Sequence, residues 1–197
     1  IAYCMVFIIK FIDKHLGNLI CKLLGIFKGK NKATGHIKKI LVVQLWGIGE
    51  TILTLPAIEA LRNKFPEAEI NILATPRNKD VYFENKDINN IFIVKLNPFS
   101  IINILLKNIK KYDLVVDMEE YLNISAIISF FIGKRIVGYS HNARSRLYDY
   151  KVKYNDHQHA VQTFLDLARV LDVAYNATKL PQLNFPKSDR RIVDKLL

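Results

Sequence analysis

Cysteine is nearly absent from this chain, and the two present, Cys4 and Cys21, both fall near its start. So placed, they offer neither a disulfide framework nor a cysteine-based metal site for the remainder, and read as small apolar residues on a helix. No Gly/Ser-rich or Pro-rich tract divides residues 40 to 180, so nothing marks a second domain within that stretch. A membrane-spanning run is missing as well. Ile1 to Ile9 is almost wholly apolar, but Lys10, Asp13 and Lys14 interrupt it well short of the roughly 20 residues a spanning helix needs. The same lysines, with no small-residue cleavage site before them, argue against a secretory signal. His157 and His159 stand two residues apart, which is not the spacing of a helical zinc pair. The chain begins with Ile, as a processed or incomplete sequence would.

What is present is apolar enough to fold. Half of the 197 residues are hydrophobic, and the mean hydropathy is +0.10. A segment of about 150 residues can bury one proper core. The net charge of +11 is uneven: eight lysines and one aspartate put +7 on the first 39 residues, leaving +4 on the rest. Such asymmetry points to an anionic surface met by the amino-terminal arm rather than to a globally basic domain. No basic and aromatic recognition module accompanies the charge, so specific nucleic-acid binding is not expected.

Leu16, Leu19, Ile20, Leu23, Leu24 and Phe27 follow helical spacing, while Lys14, Asn18 and Lys22 take another face. Residues 1–28 therefore read as an amphipathic arm lying at an anionic membrane surface, with Lys28, Lys30 and Lys32 near the headgroups. A helix packed on the domain or on a partner is the alternative. Residues 29–39 are short, basic and glycine-containing, which suits a linker.

The folded region is organised around Ile40 to Glu50. A largely apolar, β-branched run reads as a buried strand, Gly47 and Gly49 allow a sharp turn, and an amphipathic helix follows through Arg62. Beyond it, strand-like and helix-like segments alternate, with strands expected at Glu69–Thr75, Ile91–Val94, Leu114–Asp117 and Arg135–Tyr139. Asn97-Pro98 has the form of a helix cap followed by a first-turn proline. Ser188 caps a last helix running toward Leu197. The class is α/β: a Rossmann-like, mostly parallel sheet with helices on both faces, over residues 40–180, with 181–197 opening a linker or second domain.

Ligands of such sheets sit beyond the carboxyl ends of the strands, which is where Glu50 falls. Glu50 either does chemistry there or simply complements the N–H groups of a first helical turn. The turn lacks the third glycine of a dinucleotide site and the Lys-Ser or Lys-Thr pair of a phosphate-binding loop. Asp117, Glu119 and Glu120 reach the same rim from a later strand, with Asp117 either orienting a ligand or capping a helix. Three acids lacking a histidine or a defined ligand spacing are a weak metal signal, and no metal site is expected. Lys134, Arg135 and the segment His141 to Arg146, with Arg144, either form an anion-binding rim or a solvated basic loop. His159 either contacts a ligand or caps the helix that follows it.

Ile40 to Arg62 with Phe65-Pro66-Glu67-Ala68-Glu69-Ile70, Asp113 to Asp117, Gly133 to Tyr139 and His159 to Leu167 together resemble the ADP-heptose:lipopolysaccharide heptosyltransferases, glycosyltransferase family 9. The resemblance covers most of 40–175. It implies the amino-terminal, acceptor-side half of a glycosyltransferase B fold, with the half that binds most of the nucleotide-sugar (ADP-heptose or a relative) lying outside this sequence. It implies no other cofactor, and an isolated fragment with little or no activity. The family's general base, usually aspartate, falls at Glu50. Gly47, Gly49, Arg62, Lys134, Arg135 and Arg144 become candidate acceptor contacts, and the acceptor implied is a lipopolysaccharide-like or other membrane-linked glycan on the cytoplasmic side of a membrane. A non-catalytic, membrane-associated glycan-binding or structural module is the alternative.

Overall fold

The computed structural model describes residues 10–29, 35–175, 177 and 180–186. Six apolar runs become strands: β1 Lys39–Val43, β2 Glu69–Ala74, β3 Asn90–Ile93, β4 Tyr112–Asp117, β5 Gly133–Tyr139 and β6 Tyr150–Val152. They form one sheet in the order β3-β2-β1-β4-β5-β6, with every pairing parallel. Among the described residues, five α-helices flank it: α1 Asn18–Ile26, α2 Ile48–Lys64, α3 Pro98–Asn108, α4 Asn123–Ile132 and α5 Ala160–Arg169.

Strand side chains alternate between faces, and parallel strands buried on both sides need apolar residues at nearly every position. Ile40, Val42, Ile70, Ile72, Leu114 and Val116 meet Leu55, Ile58 and Leu61 of α2 and Phe164, Leu165 and Leu167 of α5. Leu41, Val43, Leu73, Val115 and Ile136 point the other way, into a core with Ala126 and Ile128 of α4, Ile101, Ile104 and Leu105 of α3, and Cys21 of the arm. The α/β expectation with helices on both faces is met, and all the pairings are parallel.

Local rules account for most element ends. Asn97 Oδ1 accepts from the Ser100 amide at 2.9 Å and Pro98 opens α3. The strand expected at Ile91–Val94 is β3, shifted by one residue. Residues 77–85 contain a 3-10 turn, Lys79–Tyr82. Strand β6 has no counterpart among the sequence-based expectations. The helix expected after Ser188 lies outside the described residues.

The arm is docked on the domain. Residues 10–26 are helical, with a π-helical turn, Asp13–Gly17, ahead of α1. Asp13 caps α4: its two carboxylate oxygens each accept at 2.8 Å, one from the Asn123 amide and the other from Ile124. Its contact face is narrow. A Cβ on Gly17 would stand 2.8 Å from Asn123 Cβ, and one on Gly25 would stand 2.7 Å from Arg146 Cβ, so larger residues would push the helix off. Lys28 closes the contact with a 2.8 Å ion pair to Asp149. Among the described residues, no helix is long and apolar enough to cross a membrane.

Candidate active site

In this strand order the chain reverses direction of winding between β1 and β4, and a crevice opens above their carboxyl ends. The turn after β1 carries Glu50, and the turn after β4 carries Glu119 and Glu120. Gly47 makes the first turn possible, with φ +75°, a conformation that strains any residue with a side chain. It also leaves room for the carboxylate, since a Cβ there would lie 2.6 Å from Glu50 Oε2. Thr51 donates through its amide and its hydroxyl to the Gly47 carbonyl, at 3.1 and 2.6 Å. Asn78 then ties the turn to β2, donating to the Gln44 carbonyl at 2.9 Å and to Thr51 Oγ1 at 3.0 Å.

Glu50, Glu120, Gln44, Met118, Tyr154 and Thr163 line a small cleft of about 130 Å³, beside the start of α5 at Ala160. Partial burial, and then the Glu120 carboxylate, hold the Glu50 pKa above its ordinary value, while Lys10 of the arm pulls it down. The Glu120 carboxylate also raises two neighbouring phenols. Tyr121 is pushed up to about 12, chiefly by its hydrogen bond to Glu120, and Tyr154 is raised by burial and then by the same partner. His141 stands behind Tyr154, the two rings edge-on with centroids 5.9 Å apart. Its Nε2 lies 2.5 Å from the Glu120 carbonyl, which only accepts, so Nε2 carries the proton. The Oε1 of Gln44, buried and lining the same cleft, has no hydrogen-bond partner among the described residues.

The three acids after β4 have separate duties. Asp117 is fully buried and its Oδ2 accepts from Tyr148 at 2.6 Å, Arg144 at 2.8 Å and Ser125 at 2.9 Å. Glu119 turns inward, where one oxygen accepts from the Leu45 and Trp46 amides at 2.5 and 2.8 Å. Burial drives its pKa up to about 8 against those two hydrogen bonds. Only Glu120 faces the cleft.

Several sequence-based assignments change in this light. Asp117 and Arg144 form a closed ion pair, so neither faces a ligand. The segment around Arg144, expected as a solvated or anion-binding loop, contains a 3-10 turn, Ala143–Leu147, that carries the guanidinium inward. Arg62, Lys134 and Arg135 lie at the amino edge of the sheet, opposite the cleft. Arg62 donates to the carbonyls of Pro66, Ala68 and Asp87. Lys134 pairs with Asp113 at 2.9 Å, and Arg135 donates to the Asp113 carbonyl at 3.2 Å. His159 caps α5, its Nδ1 accepting from the Val161 amide at 3.3 Å, and so stands beside the cleft through Ala160. Gly47 and Gly49 stay with Glu50. Tyr154 and His141 had no distinguishing signal, because their convergence depends on β5 and β6 pairing. A larger hollow of about 360 Å³, between α2 and residues 181–184, contains none of these carboxylates.

No family model matches the sequence. Lipopolysaccharide heptosyltransferase 3 of Escherichia coli is 28% identical over 90 residues, spanning 41% of this chain and 26% of that protein. The glycosyl transferase family 9 structure from Veillonella parvula superposes with a TM-score of 0.70 at 19% identity, covering 84% of this chain and 50% of that one. The chain has the heptosyltransferase fold. The E. coli ADP-heptose lps heptosyltransferase II matches with a TM-score of 0.62 at 14% identity, over 81% of this chain and 50% of its own. E. coli heptosyltransferase WaaC with ADP-2-deoxy-2-fluoro heptose gives 0.60 at 19%, over 72% and 50%. The chain thus matches about half the length of its solved heptosyltransferase relatives, as one of the two halves of a glycosyltransferase B fold would.

Proposed function

We propose that this chain is the acceptor-side half of an inverting, nucleotide-sugar-dependent glycosyltransferase, with Glu50 as general base. The observation that carries the reading is the placement of Glu50, with a raised pKa, opposite Glu120 at the switch point of a heptosyltransferase-type sheet. A base needs a pKa close to the working pH, and both burial and a like charge move a carboxylate that way. Glu50 takes the proton from an acceptor hydroxyl, the oxygen forms a bond to the anomeric carbon, and the bond to the nucleoside diphosphate breaks on the opposite face. Tyr154, which lines the cleft with Glu120, is placed to position an acceptor hydroxyl. The donor, ADP-heptose or a related nucleotide-sugar, binds mainly the other half of the full-length protein, so the isolated chain is inactive.

We place the acceptor on a membrane-linked glycan, lipopolysaccharide-like in the first instance. The basic arm supports this, as does the anionic character of the cytoplasmic leaflet, which puts the protein on that side of the membrane as a peripheral component. The test is turnover of nucleotide-sugars by the full-length protein on lipid-linked glycan acceptors, parent against Glu50→Gln. Activity is expected to fall about 100-fold or more in the variant with folding unchanged. Equal rates would remove Glu50 from the mechanism. Acceptor binding without turnover of any donor would favour a non-catalytic glycan-binding module.

A further inference from the structure

The two faces of the sheet are covered by helices of different character. On one face, α2 and α5 bury their apolar residues and turn mostly polar side chains outward. On the other, the arm and α3 are apolar inside and outside. While Ile101, Ile104 and Leu105 of α3 pack inward, Phe99 (86% exposed), Ile102 and Leu106 (69%) point into solvent at helical spacing. The arm repeats the pattern: Gly17, Ile20, Cys21, Leu24 and Gly25 make its inner contact, while Phe11, Ile12, Leu16, Leu19, Leu23 and Ile26 are exposed. An exposed apolar stripe beside a buried one marks a second contact surface.

The two outer surfaces are continuous. An apolar groove of about 290 Å³ runs between them, with Ile12, Leu16 and Ile20 on one wall and Leu96, Pro98 and Ile101 on the other. Its floor is Leu122, Ile124 and Ile127, at and just after the carboxyl end of β4.

We propose that the arm and α3 together form a two-legged docking face for an anionic lipid bilayer, with the groove between them receiving hydrocarbon. This deepens the peripheral membrane reading above, which assigned the contact to the arm alone. Charge selects the occupant. Lys14, Lys22 and Lys107 are exposed on the two helices, whereas α3 has no acid and the arm's one acid among the described residues, Asp13, is turned inward to cap α4. An apolar face with only positive charge suits anionic headgroups and repels a second copy of itself.

The face also borders the cleft. Lys10 of the arm lies 5.2 Å from the centre of the Trp46 ring, in the loop between β1 and Glu50. Lys14 and Tyr121 share a second hollow between the arm and the cleft. Docking therefore brings the carboxyl edge of the sheet to the bilayer.

The test is flotation of the full-length protein with vesicles of phosphatidylcholine alone and of phosphatidylcholine mixed with phosphatidylglycerol. The parent is expected to bind the mixed vesicles and to release with salt. The combined Phe99→Ser, Ile102→Ser and Leu106→Ser variant is expected to bind roughly tenfold more weakly, since binding scales with buried apolar area. Equal binding would overturn the role of α3 and leave the arm as the sole anchor. No vesicle binding, with self-association that the variant abolishes, would overturn the bilayer as occupant and assign the face to a second copy. The milder Phe99→Trp variant gives a separate reading: its indole should be quenched by lipids brominated along the acyl chain, and bound protein without that quenching would also overturn the proposal.

Discussion

Two carboxylates lining one small cleft resist being charged together, and Glu50 and Glu120 are in that position. Burial raises Glu50 first and the neighbouring charge adds to it, so the basic form of Glu50 develops at higher pH than in an ordinary glutamate. Activity of the full-length enzyme should therefore rise along an acidic limb set by Glu50. Replacing Glu120 with Gln removes the like charge, and the limb is expected to move to lower pH, as pH profiles of kcat/KM would show. An unmoved limb would leave burial as the whole cause. Gly47 belongs to the same arrangement, because both its positive φ and the space above it are already in use.

At the level of elements, the arm is held by a cap together with Ile20, Cys21 and Leu24, while its other long apolar side chains stay outside. Asp13→Ala would leave the Asn123 and Ile124 amides without their partner, and a loss of about 0.5–2 kcal/mol is expected in denaturant titrations, with the arm loosened first. The strand of Ile40 to Val43 was legible because a β-branched run between turn residues has few other structures. The arm's helix was legible too, but its orientation was not. Periodicity marked Leu16, Leu19, Ile20, Leu23, Leu24 and Phe27 as one apolar face; Ile20 and Leu24 of these meet the domain, beside Gly17, Cys21 and Gly25, where close approach depends on small size. Strand β6 was hidden by its three residues and polar edge position. Arg144 was misread for a different reason. A guanidinium reads as a surface group until Asp117, 27 residues earlier, is known to lie against it.

For the whole molecule, the buried acids tie stability to pH. Glu119 is pushed from 4.5 up to about 8 in the folded protein, so the fold binds a proton there that the unfolded chain releases. Its contribution is complete below about pH 4.5 and is lost as pH rises toward about 8. At about 1.4 kcal/mol per unit, the effect amounts to a few kcal/mol. Urea unfolding is expected to show lower stability at pH 8 than at pH 5, and Glu119→Gln, which keeps an acceptor for the Leu45 and Trp46 amides, should flatten that slope. A slope unchanged in the variant would assign it to other groups.

The arm and the cleft share one rim, joined through Lys10 and Trp46. If that rim is seated on a bilayer, the distance from the headgroup plane to Glu50 becomes a fixed property of the fold. The protein would then act as a gauge, selecting among hydroxyls of a membrane-rooted sugar chain by their height above the lipid before any contact with the sugar itself is made.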